Sequence, residues 1–74
     1  MELFFVKADK RTIEDKEYYK ITILDRTNCQ LFNFYKLVDA KSTNFVTSLK
    51  LFEEISQKLT FVIKRNNKIS FDIK

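Results

Sequence analysis

The stretch Leu59-Thr60-Phe61-Val62-Ile63-Lys64-Arg65-Asn66-Asn67-Lys68-Ile69-Ser70-Phe71-Asp72-Ile73-Lys74 carries the strongest secondary-structure signal in the chain. Leu59, Phe61 and Ile63 alternate with Thr60, Val62 and Lys64, and Ile69, Phe71 and Ile73 alternate with Ser70, Asp72 and Lys74. A period of two places each apolar trio on one side of a strand. Between them, Asn66-Asn67 suits a tight turn, because Asn tolerates positive φ better than other residues that carry a Cβ. The sequence has no Gly to do that work. The stretch therefore predicts a β-hairpin.

Immediately upstream the period changes. Phe45, Leu49, Phe52, Ile55 and Leu59 are spaced 4, 3, 3 and 4 apart, the signature of one apolar helix face. Ser42 or Thr43 can supply an N-cap oxygen, so a helix is expected near Asn44–Gln57. Further upstream the β pattern returns. Leu3 to Ala8 is rich in Phe and Val. Asp9 to Lys16 is charged and mixed in sign, suiting a loop or hairpin tip. In Glu17 to Leu24, Tyr19, Ile21 and Ile23 share one face while Tyr18, Lys20 and Thr22 share the other. Asp25-Arg26-Thr27-Asn28 has turn chemistry. Cys29 to Tyr35 is again strand-like, with Phe32 and Phe34 opposite Leu31, Asn33 and Tyr35.

The expected order is β-β-β-α-β-β in a single, mostly β binding domain spanning residues 1–74. A meander, a helix and a closing hairpin follow the chain order of the five-stranded OB barrel. Partial closure hides the sheet edges, and the apolar helix stripe would plug one end. In element order, size and basic-aromatic composition the chain resembles small OB-fold single-strand-binding proteins, especially the minimal ones of phages and mobile elements, although it carries no family sequence motif. The resemblance implies DNA replication as the setting. OB barrels often bend their first strand at a Gly; here a bulge near Lys7 to Asp9 would have to substitute, with an open α+β sheet as the fallback.

The composition bounds the chemistry. His is absent, which removes the commonest general base and metal ligand. The single cysteine, Cys29, has no imidazole partner and is too few for a zinc site. Phosphate-cradling loops need glycines. Glu53 and Glu54 are neighbours that would diverge by about 100° on a helix, and Glu14-Asp15 sits among Arg11 and Lys16. No enzyme activity, cofactor or metal is expected. A lone Cys in so small a chain also favours a reducing, cytoplasmic setting. The start of the chain lacks a signal-peptide pattern, and no apolar run approaches the ~20 residues of a membrane span.

Net charge is +4, and its placement is uneven. Met1 to Tyr35 holds six basic and six acidic residues, whereas Lys36 to Lys74 holds eight and four. Positive charge beside aromatic residues suits single strands, since cations track phosphates and aromatic rings stack on bases. Outward positions on the second and third strands, with the Asp9–Lys16 and Lys64–Lys68 segments as walls, make Tyr18, Lys20, Tyr35, Lys36, Lys64, Arg65 and Lys68 the candidate nucleic-acid-binding residues. The expected partner is single-stranded DNA or RNA, bound by a dimer or beside other replication proteins. The alternative is a small protein-protein module (inhibitor, adaptor or replication accessory factor, or a homodimer) using an apolar patch of Phe4, Phe5, Leu24 and Val62.

Overall fold

The structure is a computed structural model that describes residues 2–63, 65 and 69–74. Its elements run β1 (Leu3–Ile13), β2 (Lys16–Asp25), β3 (Gln30–Leu37), α1 (Ala40–Thr47), a 3-10 turn at Ser56–Lys58, β4 (Leu59–Ile63) and β5 (Ile69–Ile73). The fold is mostly β. Its strands form two antiparallel sheets, β1-β2-β3 and β4-β5, and no ladder among the described residues joins them into a closed barrel.

β2 is the spine of the larger sheet. Its alternation falls as the sequence predicts: Tyr19, Ile21 and Ile23 are buried, beside Leu3 and Phe5 of β1 and Phe34 of β3. β1 keeps its inward phase only because of a bulge. The register slips between Phe5 and Lys7, so odd positions face the core before Val6 and even positions such as Ala8 after it. The bulge falls just ahead of the Lys7–Asp9 stretch expected to carry it.

Of the two readings of Asp9–Lys16, the structure shows the hairpin tip and not a loop. β1 runs on to Ile13 and β2 starts at Lys16; Glu14 and Asp15 alone make the turn, with φ of 50° and 67°. Two consecutive positive φ values match the right-handed twist of the flanking strands, so pairing continues to the tip. Lys10, Arg11 and Lys16 are consequently strand residues. The second turn works through a buried carboxylate. Asp25 Oδ1 accepts from the Thr27 and Asn28 amides at 3.1 and 3.4 Å, and Oδ2 accepts from Asn28 Nδ2 at 2.9 Å. Cys29 closes this turn at φ 53° and is exposed.

The expected helix at Asn44–Gln57 is displaced and shortened. α1 begins at Ala40 under an Asp39 cap, whose Oδ1 accepts from the Ser42 amide at 2.8 Å while Ser42 Oγ accepts from the Asp39 amide at 3.0 Å. Ser42 is thus the third helical residue, not the cap, and Thr43 lies deeper still. At the end of the helix side chains bond to its carbonyls: Thr47 Oγ1 donates to Thr43 O at 2.8 Å and Ser48 Oγ to Phe45 O at 2.9 Å. The chain then lies along the edge of β1. Phe52 N donates to Phe5 O at 2.7 Å, Phe5 N to Glu53 O at 2.9 Å and Ile55 N to Leu3 O at 2.8 Å. Of the expected helical stripe, Phe45, Ile55 and Leu59 do reach the core, from three different elements, while Phe52 is 59% exposed at φ 60°.

The smaller sheet packs beside β3 through Phe71, whose ring lies 5.6 Å from Phe32 and 6.2 Å from Phe34. The hairpin predicted at Leu59–Lys74 is present, in the register Leu59↔Ile73, Phe61↔Phe71 and Ile63↔Ile69; its Asn66-Asn67 turn lies outside the described residues. Two outcomes check this architecture in urea unfolding. Ile55→Ala is expected to cost about 2–5 kcal/mol, because Ile55 is fully buried where the strap meets β1. Asp25→Ala is expected to cost about 1–3 kcal/mol, because it leaves turn amides unpaired. A solvent-exposed helix across 48–55 would leave the first change nearly silent.

Candidate nucleic-acid interface

The outer face of the larger sheet follows from the register. Reading across β1, β2 and β3, its rungs are Phe4–Leu24–Leu31, Lys7–Thr22–Asn33, Asp9–Lys20–Tyr35 and Arg11–Tyr18–Leu37. The face therefore has two characters. One end is apolar, and Phe52 extends it: Phe4, Leu24, Arg26 and Phe52 line a shallow cleft, with the Arg26 guanidinium 6.0 Å from the Phe4 ring centre. The other end is aromatic and basic. Between them Thr22 Oγ1 donates to Asn33 Oδ1 at 2.7 Å, a neutral pair that leaves Thr22 buried although it faces outward.

Three of the predicted site residues come together on the aromatic-basic end. Lys20 and Tyr35 are direct cross-strand neighbours, and Tyr18 lies on the next rung. Tyr35 is 51% exposed, and Tyr18 and Lys20 are half-buried. Arg11, directly across from Tyr18, joins them. The mixed charges of Asp9–Lys16 suit a loop as well as a hairpin tip, so the sequence alone does not show that β1 carries Arg11. Asp9 neighbours Lys20 and also meets Lys7 Nζ at 3.6 Å, so the face is not uniformly positive.

Lys36 is not on this face. It shares the inward phase of Phe34, and at the sheet edge its Nζ meets Asp72 Oδ1 of β5 at 2.8 Å. That hydrogen bond is the main reason the Asp72 carboxyl is held below its ordinary value. Tyr35, Lys36, Ser70 and Asp72 line a cleft of about 190 Å³ where the sheets meet. Arg65 is exposed at the far end of the hairpin; Lys64 and Lys68 lie outside the described residues.

The apolar patch expected for a protein partner is also redrawn. Phe5 is buried in the core, and Val62 is on the other sheet, apart from Phe4 and Leu24. Phe52 takes Phe5's place at that end, and nothing in the sequence points to it because its spacing matched the helix stripe. Among the described residues, no group of His, Cys, Asp and Glu could hold a metal ion, and no helix is long and apolar enough to cross a membrane.

Compared with known proteins, the chain matches no family model, no curated protein and no solved structure.

The Lys36–Asp72 pair makes a pH prediction. A lowered folded value means that Asp72 contributes stability above its ordinary value of 3.8, and that this contribution is lost as pH falls through the lower folded value. Melting temperature is expected to drop between roughly pH 5 and pH 2, less steeply in Lys36→Met. The residual slope comes from Asp39, held low by the Ser42 amide, and Glu53, held low by Lys58. Equal slopes would show that the pair does not persist in solution.

Proposed function

We propose that this chain is a non-enzymatic binding protein for single-stranded nucleic acid, DNA in the first instance. It would hold the strand across the outer face of β1–β3, inside the cell and in the replication of a phage or mobile element. The observation that carries the reading is the rung pair Lys20–Tyr35 and Arg11–Tyr18. It sets two phenol rings beside two cations on a surface that water reaches. Stacking supplies sequence-tolerant affinity, and the cations neutralise phosphates. β5 beside β3, and the hairpin following the helix, suit an OB-like arrangement that no β1–β4 ladder closes among the described residues. Of the residues predicted from sequence, Tyr18, Lys20 and Tyr35 form the centre of this interface, Arg65 stands exposed at the hairpin's far end, Lys36 is a structural support through Asp72, and Lys64 and Lys68 lie outside the described residues.

A second reading, a protein-protein module, is favoured by the apolar side chains the fold leaves in water. Leu31 and Phe52 at one end, and Phe61, Ile63 and Ile69 on the hairpin, are all exposed. The two readings rest on different residues and separate under mutation.

Fluorescence anisotropy with labelled oligonucleotides at two salt concentrations tests the proposal. Tyr35→Ala is expected to weaken binding by roughly 5- to 150-fold, the value of one stacked base. Lys20→Ala is expected to lower the salt slope by about 0.7, and Lys36→Ala to alter stability more than affinity. Indifference to single strands at low salt removes the reading.

A further inference from the structure

Lys36 follows Tyr35 in the chain, yet the alternation of β3 sends its side chain to the other side of the strand. The cleft of about 190 Å³ between the sheets brings the two together again. Tyr35 and Lys36 line it from β3, and Val62, Ser70, Phe71 and Asp72 line it from the smaller sheet. The Lys36 ammonium is engaged there by Asp72 at 2.8 Å. The two side chains keep 31% and 46% of their surface in water, so solvent reaches the pair. Asp72 Oδ1 also accepts from the Ile73 amide at 2.8 Å, while Oδ2 takes no hydrogen bond among the described residues. The Lys36 bond first, then the Ile73 amide and the charges of Lys36 and Lys41, hold the Asp72 carboxyl below its ordinary value. Asp39, the other carboxylate on which the Lys36 charge acts, is committed to the Ser42 amide.

Asp72 thus occupies an anion position: an ammonium, a backbone amide and the field of a second lysine converge on it beside an exposed phenol ring. Cations and backbone N–H groups are also what a strand phosphate takes from a protein, while aromatic rings take the bases. We propose that Asp72 is an autoinhibitory contact of the nucleic-acid interface: its carboxylate stands where a phosphate of a strand stacked on Tyr35 would sit, and it keeps Lys36 from that phosphate. The inference rests on the reading that single strands bind at Tyr18, Lys20 and Tyr35, and goes beyond it by giving Asp72 a role against binding. Lys20 and Arg11 serve the face directly; Lys36 is a further phosphate contact held back. The face therefore binds more weakly than its rings and cations alone would allow.

Anisotropy with a labelled oligothymidylate across a salt series tests this on the full chain, in the wild type, Asp72→Asn, Lys36→Ala and the double variant. Asp72→Asn keeps an oxygen for the Ile73 amide and removes the charge. It is expected to bind more tightly, with a log–log salt slope steeper by about 0.7, the value of one added phosphate contact on a single strand. In the Lys36→Ala background the same change should leave the slope where it was, because no ammonium is released. That comparison separates a freed lysine from the mere loss of a negative charge, which would act alike in both backgrounds. A wild-type slope in Asp72→Asn, or an equal gain in both backgrounds, overturns the proposal and leaves the reading of the Tyr35 face standing. A wild type that ignores the oligonucleotide at low salt removes that reading and the proposal with it.

Discussion

β2 is hydrogen-bonded on both sides, and everything else in the molecule takes its orientation from that strand. With side chains alternating every residue, a slip of one position would turn Tyr19, Ile21 and Ile23 out to water and bring Tyr18 and Lys20 into the core. Burial of the first set therefore fixes exposure of the second. The candidate interface needs no stability of its own: Tyr18 and Lys20 are presented because their neighbours in sequence are committed inward, and Tyr35 is presented because β3 is in register with that commitment. Tyr19 adds a polar tie at the strand's start, where its hydroxyl and Thr43 Oγ1 lie 3.0 Å apart and hold α1 against the sheet.

The remainder of the fold is a set of answers to exposed edges. Where β1 is apolar, the chain returns after α1 to bond to it; where β1 is charged, it is left bare. The segment between Ser48 and Ile55 had two ways to bury its apolar residues, as a longer helix or as an edge strap. The strap satisfies backbone groups of β1 as well as its own, which a helix would not do. Phe52 is left in water by that choice, beside Phe4 and Arg26, so the outer face acquires an apolar end.

Period-two signals were legible in the sequence because one side of each strand is buried. The inward trio of β2, the Asp25 turn and the β4–β5 hairpin could all be read from alternation and turn chemistry. The phase of Lys36 was legible too, since it follows Phe34 by two residues and so faces Asp72 rather than the Tyr35 side. Three features were not legible. The 4-3-3-4 spacing after Phe45 is equally satisfied by a short helix followed by a strap, because spacing does not reveal which backbone partner wins. The extent of β1 was masked by its charges, which an exposed ribbon tolerates as readily as a loop does. The Glu14-Asp15 turn uses a Glu at positive φ, a residue with no propensity to announce it.

On the proposed reading, the core of β2 dictates a water-facing patch of Tyr18, Lys20 and Tyr35, and single-stranded nucleic acid binds at that patch. Amide NMR of the full chain titrated with an unlabelled single-stranded oligonucleotide tests it most directly. Saturable shifts are predicted along Arg11, Tyr18, Lys20 and Tyr35, with Ile21, Ile23 and the Phe61–Ile63 strand unmoved. Shifts centred on the β4–β5 hairpin or on the Phe4–Phe52 end, with the Tyr18–Tyr35 rungs silent, would contradict the account.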